Sequence, residues 1–129
     1  MIKISDKELQ SVSSMGAFDR YRHFIKRIAD SSALWVLKNG QNEYGLSEVE
    51  NNLLLSVWSA KEYTQSCLKG VWETYLPTCL DFDEFNNELA PLIKKMNYLI
   101  DVFPVNSKAG FVVTLEEFLH DLNMELDKY

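Results

Sequence analysis

Few side chains in this sequence are of types that do chemistry. His23 and His120 are the only two histidines, and histidine is the side chain that ordinarily titrates near neutral pH. Neither stands in a metal spacing such as His-Glu-x-x-His, which puts two imidazoles on one helix face. On a helical wheel His23 falls opposite Phe18, Tyr21, Phe24 and Ile28, beside Arg20, Lys26 and Arg27. His120 falls opposite Phe118 and Leu122, one turn from Glu116. Both read as solvated surface residues and not as catalysts. Asp81, Asp83 and Glu84 form a group of acids of the kind used in general acid–base work. Asp81 and Glu84, however, have the spacing of a helix cap, and carboxylates early in a helix also suit its dipole. No Gly-x-Ser-x-Gly elbow is present, and the five glycines are scattered singly, so no loop cradles a phosphate. Cys67 and Cys79 match no metal spacing and read as free thiols in a reducing compartment. No catalytic residue, metal or cofactor is expected.

Charge points toward binding. The net charge is −6, and it is unevenly spread. Residues 1–40 carry seven Lys/Arg and four Asp/Glu, whereas residues 41–91 carry two and nine. An acidic chain repels phosphate backbones, so nucleic acid is a poor partner and a basic protein a better one. Glu43, Glu48 and Glu50 lie on or near an expected hairpin; Glu73, Asp83 and Glu84 follow in the next helical region. Trp72 and Tyr75 fall in a connection between two expected helices. Acids around an aromatic anchor make an interface for a basic protein. Those eight residues are the candidate partner-binding set. The alternative is that Trp72 and Tyr75 plug the core beneath the loop. Arg20, Arg22, Lys26 and Arg27 read as the solvated back of a helix.

The elements that must position these residues are written in a repeated code. Ser5–Glu8, Ser59–Glu62, Asp81–Glu84 and Thr114–Glu117 each set a capping residue three positions before Glu. Apolar residues flank each pair: Ile4 and Leu9, Trp58 and Tyr63, Leu80 and Phe85, Val113 and Phe118. Capping box and hydrophobic staple together predict four helix starts. The first helix should break near Ser14-Met15-Gly16 and resume through Ala17–Ala29. The helix after Ser59 should end at Gly70. Pro91 should kink or restart the helix after Asp81, which Asn97 can leave in the left-handed conformation. The last helix buries Leu115, Phe118, Leu119, Leu122, Leu126 and Tyr129.

Strands are expected at Ala33–Lys38, before the turn signal Asn39-Gly40, then at Glu43–Val49 and Leu53–Trp58 around a turn at Glu50-Asn51-Asn52. A second pair, Tyr98–Val105 and Gly110–Val113, flanks the turn Asn106–Ala109, with Pro104 at a strand end or edge. The order is helix, three strands, two helices, two strands, helix. It implies an α+β fold in which helices pack on an antiparallel sheet of about five strands. A faint echo links Phe24-Ile25-Lys26-Arg27-Ile28 with Leu92-Ile93-Lys94-Lys95-Met96, each ahead of a strand group.

At 129 residues the chain reads as one domain, residues 1–129. No apolar run approaches the roughly 20 residues of a membrane span. Met1–Asp6 lacks the apolar stretch of a signal peptide. Neither membrane nor export is expected, and the cytoplasm is the expected location.

Several stretches resemble a small bacterial family catalogued as domain of unknown function 2750. They are Arg20-Tyr21 with Phe24–Asp30, Leu34–Leu37, Val57-Trp58 with Glu62-Tyr63, Asp101–Pro104, Gly110–Thr114 and Glu117–Leu119. Ser59 departs from the resemblance, which leads one to expect proline after Trp58. The matched positions are mostly core and capping residues, so they inform the fold, and no catalytic residues carry over. In size and acidity the chain is also similar to the immunity proteins of bacterial toxin systems, including contact-dependent growth inhibition. That similarity implies a non-enzymatic inhibitor of a basic toxin domain, such as a nuclease, encoded nearby. A housekeeping adaptor or regulator is the rival binding reading, and an uncharacterised enzyme stands third.

Overall fold

The computed structural model describes residues 4–128, so Tyr129, expected in the last helix face, lies outside the described residues. Two helices open the chain. Helix α1 (Asp6–Ser13) starts where the Ser5 side chain accepts from the Glu8 N–H. The reciprocal half of this box is absent, because the Glu8 carboxylate turns instead to Arg27. The chain breaks at Ser14–Gly16 and continues as α2 (Ala17–Ser31), which exits through Ser32 at φ 58°. Its core face is Tyr21, Phe24, Ile25, Ile28 and Ala29. Phe18 stays half-exposed and packs its ring edge-on to Phe111.

Strands β1 (Ala33–Lys38), β2 (Leu46–Val49) and β3 (Asn52–Val57) follow as expected. The β1–β2 turn is held by Asn39, whose Oδ1 accepts from the N–H groups of Gln41 and Glu43. Glu50 and Asn51 both have positive φ, which gives the two-residue turn that matches strand twist. The chain then runs through two 3-10 segments (Lys61–Cys67 and Gly70–Trp72) where an α-helix was expected. Ser59 does not cap; its hydroxyl is buried without a partner. Thr64 donates back to the Lys61 carbonyl and Tyr63 packs on Phe103, so tertiary contacts hold the tight turn.

Residues 76–81 form a strand the pattern does not announce, β4 (Leu76–Asp81), paired antiparallel with β1. Asp81 and Glu84 make a complete capping box at α3 (Phe82–Glu84). A π turn (Phe85–Leu89) leads into α4 (Ala90–Met96). The π turn contains Asn87, the carbonyl that the Pro91 ring would otherwise strike, so the widened turn accommodates the proline. Asn97 takes the left-handed exit at φ 57°. Strands β5 (Leu99–Val102) and β6 (Phe111–Val113) precede α5 (Leu115–Leu126), whose Thr114–Glu117 box is complete.

The architecture is α+β. One sheet has the order β2-β3-β5-β6, with β3 and β5 parallel and the other pairs antiparallel. The second sheet, β1-β4, joins the first through the paired Trp35 and Trp58. The parallel pair arises because the long 58–98 excursion returns the chain to its starting side. The echoed segments of α2 and α4 share a left-handed exit, yet β1 pairs antiparallel with β4 and β5 parallel with β3. Helices α2 and α5 pack together on the core that contains Leu55, Val57, Ile100 and Val102.

Candidate aromatic groove

The turn after β1, the loop around the second 3-10 segment and the end of α4 meet at one groove. Its lining is Asn42, Glu43, Tyr44, Leu46, Val71, Trp72, Tyr75, Leu92 and Tyr98, around about 650 Å³. Each wall has a local cause. Gly45 lets the turn pass close to β1, since a Cβ there would crowd the Leu37 Cβ at 3.1 Å, while the Trp72 indole lies at ordinary contact distance. Behind Trp72 the Trp58 ring packs edge-on at 6.3 Å, and the Trp58 Nε1 donates to the Pro104 carbonyl. Trp72 is therefore partly buried against the core and at the same time a wall of the groove. A second groove, of about 490 Å³, shares Leu46, Val71 and Trp72 with the first and extends to Glu48, Cys67 and Pro104. Val71 is 85% exposed on the crest between them.

Carboxylates from a second element act on this groove. Burial raises the Tyr44 pKa, and the carboxylates of Glu88 and Glu84 raise it further. Those acids from the α3–α4 region therefore act on the same tyrosine that lines the groove beside Glu43. Among the described residues the ion pairs are Arg27–Glu8 and Lys128–Glu125, so none of these groove acids is neutralised by a pair. Lys38 lies over the Tyr44 ring, 4.9 Å from its centroid.

Of the eight expected partner-binding residues, Glu43, Trp72 and Tyr75 line the first groove and Glu48 the second. Glu84 is close enough to shift Tyr44, although its side chain also closes the Asp81 cap. Glu50, Glu73 and Asp83 are exposed but line neither groove. Tyr44, Leu92 and Tyr98 belong to the lining without having been expected there. Their only signal in the sequence is aromatic or aliphatic type, because residues 44, 72 and 98 meet only through the sheet.

Two surface assignments are corrected. Arg20 is 1% exposed, not solvated. Its guanidinium donates to the carbonyls of Met15, Phe103 and Ala109, and the buried Asp101 supplies an opposing charge. Residues 20, 24 and 28 follow a line of four-residue steps, which places Arg20 above Phe24 and Ile28. His23 is half-buried, and its Nε2 is buried without a partner. Burial lowers its pKa, and Arg27 lowers it further against the opposing pull of Glu8. His120 is exposed on α5. Among the described residues no group of three or more His, Cys, Asp or Glu side chains could hold a metal ion. Cys67 and Cys79 are free, and burial pushes both thiols up. Among the described residues no helix is long and apolar enough to cross a membrane.

A family model described as "Protein of unknown function (DUF2750)" matches residues 21–122. No curated protein matches the chain.

Proposed function

The chain belongs to the DUF2750 family, and we propose that it acts without catalysis, by binding a basic partner protein at the aromatic groove. The partner class is a bacterial toxin domain whose basic, substrate-binding surface an acidic protein can cover in the cytoplasm. One observation carries this reading: Tyr44, Trp72, Tyr75 and Tyr98 line a single groove whose neighbouring carboxylates have no ion pair among the described residues. Large aromatic side chains supply contact area at little cost in side-chain entropy and dominate interface energetics. Carboxylates around them steer a cationic partner and discriminate against anionic ones. The excess of acids over residues 41–91 extends that field across the face.

The test is a titration of the purified protein against the basic toxin domain encoded beside its gene. Binding that weakens at least tenfold in Trp72→Ala, with the toxin's activity inhibited in step, supports the reading. A neighbour that does not bind removes the toxin assignment and leaves an adaptor of another basic protein as the better account.

A further inference from the structure

The strand beside this groove has an open edge. Val49 and Asn52 flank a two-residue turn and face each other as a hydrogen-bonded pair. Alternation then pairs Ser47 with Leu54 and turns the N–H and C=O groups of Leu46 and Glu48 away from β3. The same phase holds upstream. Gly45 N–H donates to the Leu37 carbonyl and Asn39 N–H to the Glu43 carbonyl, so Tyr44 between them points its backbone outward. Tyr44, Leu46 and Glu48 therefore present three donors and three acceptors along one edge. None has a backbone or side-chain partner outside the ladders among the described residues. Their repeat of about 6.8 Å is that of an extended strand.

Both grooves follow this edge. The first takes in Tyr44 and Leu46, the second Leu46, Ser47 and Glu48. The other long edge is closed to addition. In β4 the outward positions are Pro77, Cys79 and Asp81; Pro77 has no N–H, and the Asp81 N–H is taken by the Glu84 carboxylate. Strand β6 has only three residues. Proteins commonly blunt a sheet edge with such devices. The β4 edge lacks the N–H of Pro77 and has the N–H of Asp81 occupied, whereas the short groove edge keeps all three outward N–H groups unpaired and carries one charge, Glu48.

Resting on the reading that the partner is basic, we infer that the partner docks an extended segment as an added strand on the Tyr44–Glu48 edge. The segment alternates apolar residues with lysine or arginine. Apolar side chains fit against Trp72, Val71, Leu92 and Tyr98. Cationic ones lie in the field of Glu43, Glu48 and Glu50, which are exposed and carry no ion pair among the described residues. Three lysines stand at the grooves with partners of their own: Lys38 lies over the Tyr44 ring, and Lys69 and Lys108, which line the second groove, donate to the Ser107 hydroxyl and the Ser13 carbonyl. Main-chain hydrogen bonds provide affinity in this mode, and alternate side chains provide specificity.

The test uses an alternating lysine–valine octapeptide, its copy N-methylated at alternate residues, and a glutamate–valine counterpart. Amide hydrogen exchange and titration by NMR read the result. Expected are slowed exchange at Tyr44, Leu46 and Glu48 and at least tenfold weaker binding of both altered peptides. Glu48→Pro should weaken binding at least tenfold while keeping the ladder, because that N–H points outward; a dispersed amide spectrum verifies its fold, and Glu48→Gln separates loss of charge from loss of the donor. Equal binding of the N-methylated peptide, or no binding of the lysine peptide, overturns the inference. Protection of the same amides by self-association makes a second copy the occupant and overturns docking of a basic partner segment. A toxin domain that binds tightly while these amides exchange freely also overturns it, yet leaves the proposed function standing.

Discussion

Arg20 Nε donates a hydrogen bond of 3.0 Å to the carbonyl oxygen of Phe103, tying α2 to the loop that leaves β5. Phe103 needs the tie, because it is a fully buried, bulky residue at φ 66°. Its own N–H is held by the Val57 carbonyl, so hydrogen bonds on both sides fix a backbone conformation that the side chain disfavours. The planar fork of Arg20 reaches the Met15 and Ala109 carbonyls as well. We expect Arg20→Met to cost about 3 to 5 kcal/mol in urea unfolding, since it strands three carbonyls and the charge of Asp101. Arg20→Lys should recover only part, because a point charge cannot span the fork. A lysine variant as stable as the native protein would contradict this account.

Gly110 is required for space. A Cβ there would lie 2.3 Å from Asp101 Oδ1 and 2.4 Å from the Val102 carbonyl oxygen, whereas one at Gly16 would meet nothing within 4 Å. Gly110→Ala should therefore destabilise by about 1 to 3 kcal/mol or more. Gly16→Ser should be neutral or slightly stabilising, as it adds a capping side chain at the start of α2. Thermal melts of the two variants should move apart; coincident shifts would show that the loop yields.

The last helix offers a graded test. Thr114→Ala removes one half of a complete capping box and should cost about 1 kcal/mol. Phe118→Ala empties the site where the Phe24 and Phe85 rings converge and should cost about 3 to 5 kcal/mol. Chemical denaturation resolves the difference, and equal costs would mean that the core collapses around the missing ring.

His23 predicts a pH dependence. Burial first, then Arg27, lowers its pKa below the ordinary 6.5. The unfolded chain then binds the proton more readily, so stability falls as pH drops below about 6.5 toward the folded-state value. Replacing His23 by Gln should remove this part of the slope below about pH 6.5. A slope that survives unchanged in the variant belongs to other groups.

Charge and anchor should separate in kinetics. Reversing Glu48, Glu50 and Glu88 to Lys should slow association with a basic partner more than it speeds dissociation, and added salt should act alike. Trp72→Ala should instead raise the dissociation rate, with a loss of roughly 2 kcal/mol or more. Stopped-flow binding reads both. An association rate indifferent to salt and to reversal would remove electrostatic steering from the mechanism.

The sequence by itself determined what is local. Caps, staples and turn residues act within four or five positions, so three of the four helix starts, the break at Gly16, the Glu50-Asn51 turn and the Asn97 exit were legible. The acidic bias and the residues Glu43, Glu48, Trp72 and Tyr75 could be picked out in the same way. Only the tertiary structure decided what depends on distant segments. The Ser59 signal had every local sign of a cap, yet contacts from Phe103 and Pro104 hold that segment as a 3-10 turn. Strand β4 exists because β1 offers it a ladder. Arg20 is buried because the carbonyls that satisfy it arrive from residues more than eighty positions away. The groove is of the same kind: Tyr44, Trp72 and Tyr98 share one wall only after the sheet has closed, since side-chain type is written in the chain and adjacency is made by folding.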